Sequence, residues 1–181
     1  MAEQPEGLVY RPKFLTPEDE QTLIETFAGL EFDEIRMRGQ TARRTALHFG
    51  VDYDYDNPGR ITPGEPLPVW LEPLRGRAAE LASVAPDELV EALVQRYPPG
   101  ATIGWHRDAP MFGKVVGVSL ASACRMRLRR PKDPRDVYVV ELEPRSAYLL
   151  AGAARWSWQH SIPPTKELRY SVTFRTLREP R

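Results

Sequence analysis

The pattern of this chain changes at about Ala92, and that change constrains its fold more than any other feature. From there to Leu177, short segments rich in Val, Tyr, Leu and Thr are separated by turns: ALVQRY, VVGVSL, CRMRLRR, VYVVEL, SAYLLA, WSWQH and RYSVTFR. Runs of this length and composition, punctuated by Pro and Gly, predict a sandwich or barrel of short strands. The chain ahead of them reads differently. Residues 16–30 predict an amphipathic helix, with Thr16 and Asp19 as a capping-box start, Pro17 in the first turn, and Leu23, Ile24, Phe27 and Leu30 at helical spacing. A second helix is expected over about 68–84 from Trp70, Leu71, Leu74, Ala78 and Leu81, with Pro73 and Gly76 weakening its first turns. The expected architecture is α+β, an N-terminal helical layer packed on a β core. Residues 36–60 are polar, carry Arg and Tyr, and have no clear period. They are expected to form two short strands joined by mobile loops, a lid of the kind that long irregular segments often provide. All 181 residues are expected to form one domain.

Composition narrows the setting more than the function. Lys plus Arg equals Asp plus Glu at 25 each, so no global charge draws the chain to nucleic acid or membrane. Arg far outnumbers Lys; this suits bidentate recognition of phosphate and carboxylate, and equally suits a GC-rich coding sequence. Cys124 is the single cysteine, which excludes an intrachain disulfide and fits a reducing cytoplasm. The start MAEQPEGLVY lacks a signal-peptide pattern, and the apolar stretch Val115–Cys124 is too short to span a bilayer. A cytoplasmic monomer without membrane attachment is expected.

His106-Arg107-Asp108 is a His-x-Asp. On an extended chain alternate side chains share a face, so both could reach one metal. Of the two other histidines, His160 at the end of the strand-like WSWQH is the better third ligand. His48 has no carboxylate two residues away and reads as a half-buried or substrate-side residue. Two histidines and one carboxylate on one face leave coordination positions open, the facial triad of non-haem Fe(II) oxygenases. The plain alternative is that His106 is a loop residue and Asp108 a turn former before Pro110.

The C-terminal segment adds a second signal. In Arg169–Arg175, strand alternation puts Arg169, Ser171, Thr173 and Arg175 on one face and Tyr170, Val172 and Phe174 on the other. If the polar face were interior, its two guanidiniums would need anionic partners, and a dicarboxylate would serve both. If the strand faced solvent, the charges would be unremarkable.

Together, Gln95-Arg96-Tyr97, His106-x-Asp108, His160 and Arg169-x-Ser171-x-Thr173-x-Arg175 resemble the AlkB-like dealkylase family, over about half the chain. Tyr53-x-Tyr55 resembles that family's nucleotide-recognition region. The resemblance implies a double-stranded β-helix (jelly roll) with helices on one sheet, Fe(II) held by His106, Asp108 and His160, and 2-oxoglutarate and O2 as co-substrates. It implies Arg169, Tyr97 and Ser171 at the distal carboxylate of 2-oxoglutarate, and Arg175 near the iron-proximal one, with Gln95 and Thr173 in the same pocket. Gln95 and Ser171 stand where the family usually has Asn. The implied reaction is oxidative loss of an N-alkyl group as aldehyde, with succinate and carbon dioxide formed.

The implied substrate is alkylated DNA or RNA. Tyr53 and Tyr55 could stack on a flipped base. Arg36, Arg38, Arg43 and Arg44 could follow a phosphate backbone, as could Arg127, Arg129 and Arg130. Loop aromatics that merely pack the loop, and an ordinary exposed face carrying Arg125, Arg127 and Arg129, explain the same residues. The same chemistry on a protein or small molecule, and a catalytically silent binding module, remain the other readings.

Overall fold

The computed structural model describes residues 1–37, 39–54, 57 and 60–180. Twelve strands, all paired antiparallel, form two sheets among them. In chain order they are β1 (Leu8–Arg11), β2 (Asp33–Met37), β3 (Gln40–Tyr53), β4 (Ile61–Pro63), β5 (Leu89–Tyr97), β6 (Ile103–His106), β7 (Phe112–Leu120), β8 (Cys124–Arg130), β9 (Asp133–Leu142), β10 (Ser146–Leu150), β11 (Gln159–Ile162) and β12 (Arg169–Leu177). The large sheet runs β1-β10-β7-β12-β5-β3-β2 with β4 on β3; the small sheet runs β6-β11-β8-β9. This is the expected α+β double-stranded β-helix.

The helices form where their caps and apolar spacing allow. Helix α1 spans Pro17–Ala28 behind a capping box in which Asp19 N–H donates to Thr16 Oγ1 (3.1 Å) and Thr16 N–H donates to Asp19 Oδ2 (3.3 Å). The second helical segment opens as a 3-10 turn, Val69–Leu71, and becomes helix α2 at Glu72–Ala82. Pro73 is tolerated there because it lies in the first turn, where its missing N–H has no helical partner to serve. Lys114 Nζ donates to Ala82 O at the end of α2 (2.8 Å).

Two apolar layers sandwich the large sheet. Leu23 and Phe27 of α1 and Leu74, Ala78 and Ala82 of α2 pack on Val94, Val118, Val172 and Phe174. On the other face, Val115, Tyr148 and Leu150 meet Met126, Leu128, Leu142 and Ile162 of the small sheet. Alternation assigns the faces: on β10, Ala147 and Leu149 join the helices while Tyr148 and Leu150 join the small sheet.

Two expectations are corrected. Residues 36–60 do not hold two short strands: β3 is fourteen residues long and its Thr45–Gly50 portion pairs with β5 inside the large sheet. WSWQH is not one strand. Trp156 closes a short helix, α3 (Gly152–Trp156), and His160 is the second residue of β11 rather than its end.

Candidate active site

His106 is the last residue of β6 and pairs with His160 of β11 across neighbouring strands. Their ring centroids are 4.2 Å apart. Asp108 lies two residues beyond β6 in the following loop, so it reaches the histidines from a turn, not from a continuous strand. Its Oδ1 is 3.5 Å from His106 Nε2 and 3.4 Å from His160 Nε2. Among the described residues, these three form the one set of potential ligand atoms gathered within 4.8 Å.

The protonation states suit a divalent cation. His106 Nδ1 is 2.8 Å from Gly104 O, which can only accept, so Nδ1 carries a proton and Nε2 is the ring atom turned toward Asp108. Burial pushes the His160 imidazole down to about 4, so it is neutral near pH 7. Burial alone would raise the Asp108 carboxyl, but Arg175 and the two histidines hold it well below the usual carboxylate range. Two imidazoles, one of them held neutral, and one carboxylate therefore converge within 4.8 Å.

The two oxygens of Asp108 are used differently. Oδ2 accepts from Arg175 Nε at 2.7 Å, and Arg175 Nη1 donates to Glu91 at 2.8 and 3.0 Å. Arg175 thus lies between two buried carboxylates, and its charge is matched within the chain. Together they raise its pKa against the opposing effect of burial. A second arginine fixes the loop from behind. Arg155, 3% exposed, donates to the backbone oxygens of Phe112 (2.7 Å), Gly113 (2.8 Å) and Ala109 (2.9 Å).

The polar face of β12 is interior. Arg169 is 1% exposed, Ser171 5% and Thr173 6%, which removes the solvent-facing reading of this strand. The nine residues expected at the metal and co-substrate line one pocket between the sheets, with Ile103, Tyr148 and Ile162. Tyr97 O–H donates to Gln95 Oε1 (2.8 Å), and Arg169 Nε donates to Ser119 Oγ (2.9 Å). Arg169 Nη1 is buried without a partner. The guanidinium has no carboxylate among the described residues, so an anion entering the pocket would find one unsatisfied donor there.

The substrate candidates divide. Tyr53 ends β3 and faces Phe112 at 6.4 Å between ring centroids; the Arg175 guanidinium lies 5.5 Å from the same Phe112 ring. Tyr53 and the Arg175 guanidinium are thus both neighbours of the Phe112 ring. Tyr55 and Arg38 lie outside the described residues. Arg129 is stacked on Trp105 at 4.1 Å and donates to Gln159 Oε1 (3.2 Å). Its neighbour Leu128 is fully buried toward the other sheet, so Arg129 lies on the outer face, away from the pocket.

Residues 7–175 match the model of the 2OG-Fe(II) oxygenase superfamily. The chain belongs to that superfamily. Fe(II), 2-oxoglutarate and O2 are accordingly its cofactor and co-substrates, and its relatives are AlkB-like. It is 29% identical to the tRNA (carboxymethyluridine(34)-5-O)-methyltransferase alkbh8 of Xenopus tropicalis, over 90% of this chain and 26% of that protein. It is 28% identical to the alkylated DNA repair protein ALKBH8 homolog of Arabidopsis thaliana, over 88% of this chain and 51% of that one. The chain thus spans from a quarter to about half the length of these two relatives. In fold it matches OsALKBH1 with a TM-score of 0.71 at 17% identity, covering 97% of this chain and 99% of that one. An oxidoreductase of the 2OG-Fe(II) oxygenase family from Burkholderia pseudomallei follows at TM-score 0.68 and 17% identity, over 96% and 86%. The donor set fits Fe(II), and the unpaired Arg169 fits a dicarboxylate.

Glu91, Ser119, Tyr148 and Arg155 were not legible as site residues. Each is fixed by strand register or by a contact tens of residues away, and none belongs to a short motif.

Proposed function

We propose that this chain removes alkyl groups from nucleobases of DNA or RNA by Fe(II)- and 2-oxoglutarate-dependent oxidation. The observation that carries the reading is the His106, Asp108 and His160 cluster opening into a pocket whose far end holds Arg169 without a carboxylate. In this reading His106 Nε2, Asp108 Oδ1 and His160 Nε2 hold the iron. Arg169, with Tyr97 and Ser171, holds the distal carboxylate of 2-oxoglutarate, and Gln95 orients the Tyr97 hydroxyl. Thr173 lines the passage between the two ends. When bound, the iron with 2-oxoglutarate and O2 supplies oxidation of a carbon attached to nitrogen, so that this carbon leaves as aldehyde while succinate and carbon dioxide form.

The chain's own part is positional. Arg175 fixes Asp108 through Oδ2, which directs Oδ1 at the histidines. Its proximity to the iron-proximal carboxylate is then electrostatic, since Nε and Nη1 are already engaged by Asp108 and Glu91. Ile103 and Ile162 line the pocket and limit water. Tyr53 stacks on the target base near Phe112. Arg129 contacts nucleic acid only if the polymer passes over the small sheet.

The relatives' names support a nucleic acid target, one speaking of tRNA and another of alkylated DNA. The test is formaldehyde release from a panel of methylated DNA, RNA and peptide substrates with iron and 2-oxoglutarate present. Release from methylated oligonucleotides is expected. Release confined to peptides would move the function to protein.

A further inference from the structure

Buried arginines in this protein are served in different ways. Arg175 has two carboxylates, and Arg155 has backbone carbonyl oxygens. Arg44 differs from both. It is 9% exposed, its Nε is buried without a partner, and no carboxylate among the described residues pairs with it. Among the described residues, Arg44 Nε and Arg169 Nη1 are the two buried side-chain polar atoms left unsatisfied. An unpaired buried guanidinium is costly unless something outside the chain completes it.

Sheet register puts the two arginines on either side of one residue. Arg169 pairs directly with Tyr97 across β12 and β5. On the other side of β5, Thr45 pairs with Arg96 and Ala46 with Gln95, which brings Arg44 level with Tyr97. Directly opposed residues in an antiparallel pair share a face. Arg44, Tyr97 and Arg169 thus form one rung across three adjacent strands, on the face that lines the pocket. Arg43, next in sequence, is exposed on the other face. Both guanidiniums act electrostatically on the Tyr97 hydroxyl, Arg169 more strongly. The adjoining rung carries Gln95, Ser171 and Ser119, all uncharged. The Tyr97 rung therefore carries two positive charges and no negative one among the described residues, Arg169 lining the pocket and Arg44 beside it on β3.

We infer that Arg44 is a second cationic contact for the distal carboxylate of the co-substrate, and that it makes the pocket select a dicarboxylate over a monocarboxylate 2-oxo acid. This rests on the proposed assignment of the pocket to 2-oxoglutarate. It also replaces the expectation that Arg44 follows a phosphate backbone. One carboxylate has two oxygens and can accept from both arginines at once, so the rung closes around it.

The test is calorimetric titration of Mn(II)-loaded protein with 2-oxoglutarate and with 2-oxovalerate, which keeps the keto acid end and lacks the distal carboxylate. Arg44→Met is expected to weaken 2-oxoglutarate by about tenfold or more, the size of a lost charge-assisted hydrogen bond, and to leave 2-oxovalerate within about twofold. Arg44→Lys is expected to recover part of the loss. The metal-free Arg44→Met protein should melt no lower than wild type, because the guanidinium has no ion pair to lose. Equal weakening of both ligands would make Arg44 a structural residue and overturn the inference. So would unchanged 2-oxoglutarate affinity, with or without weaker oligonucleotide binding. Failure of wild type to bind 2-oxoglutarate at all would overturn the pocket assignment as well, which separates the two failures.

Discussion

Asp108 couples the proposed metal site to the rest of the molecule through one carboxylate. Oδ1 faces the histidines and Oδ2 is bound by Arg175, whose other partner is Glu91. Asp108→Ala is expected to abolish metal binding and turnover while the protein stays folded, because Glu91 still neutralises Arg175. The cost in stability should be that of a lost charged hydrogen bond, about 1.5–3 kcal/mol. Metal titration with circular dichroism checks this, and turnover retained by the purified variant would remove Asp108 from the site. His160 gives a pH dependence. Its pKa falls from 6.5 in the unfolded chain to about 4 in the fold, so between those values the unfolded state binds the extra proton. The stability of the metal-free protein should therefore fall as pH drops from about 6.5 towards 4. His160→Gln should flatten that part of the melting curve against pH, and an unchanged slope would assign it to other groups. The motif residues were legible because His-x-Asp and the alternation of Arg169–Arg175 are local patterns. The Glu91 contact was not, since 84 residues separate Glu91 from Arg175 and only the β12–β5 register joins them.

At the scale of elements, the loop after β6 is held by Arg155 of α3 as much as by its own sequence. Three backbone oxygens within 3 Å fix the segment from Ala109 to Gly113, next to Asp108. Arg155→Met is expected to weaken Mn(II) binding severalfold, because Asp108 Oδ1 loses its fixed position. The 2-oxoglutarate contacts on β12 should be unaffected in a metal-free binding assay. Parallel loss of both would indicate general unfolding of the site. Tyr53 at the end of β3 is proposed as a substrate contact and not a co-substrate one: Tyr53→Ala should then lower coupled substrate oxidation while 2-oxoglutarate affinity holds. Equal loss of both would make it part of the pocket wall. The β core was legible from its turns and apolar runs, and α1 from its cap. β3 was not, because it lies near the sheet edge, where burial is partial and QTARRTALHFGVDY shows no clean alternation. WSWQH misled because Trp156 is 37% exposed at a helix end while Trp158 is 7% exposed, an alternation that crosses an element boundary.

The whole molecule places the His106, Asp108 and His160 cluster and the buried Arg169 along one pocket, between two sheets braced by helices on one side. No helix is long and apolar enough to cross a membrane among the described residues. The fold class followed from segment lengths, and the superfamily from four spaced motifs, because both are properties of order along the chain. The target of the chemistry was less legible, since Arg44 turned out to face inward and Arg129 outward, and sequence alone gives neither direction. In the proposed function, His106, Asp108 and His160 hold Fe(II) beside a 2-oxoglutarate pocket. Anaerobic titration of the protein with Fe(II) and 2-oxoglutarate tests it most directly. A metal-to-ligand charge-transfer band is expected in wild type and absent in Asp108→Ala. No band in wild type, or an equal band in the variant, would contradict it.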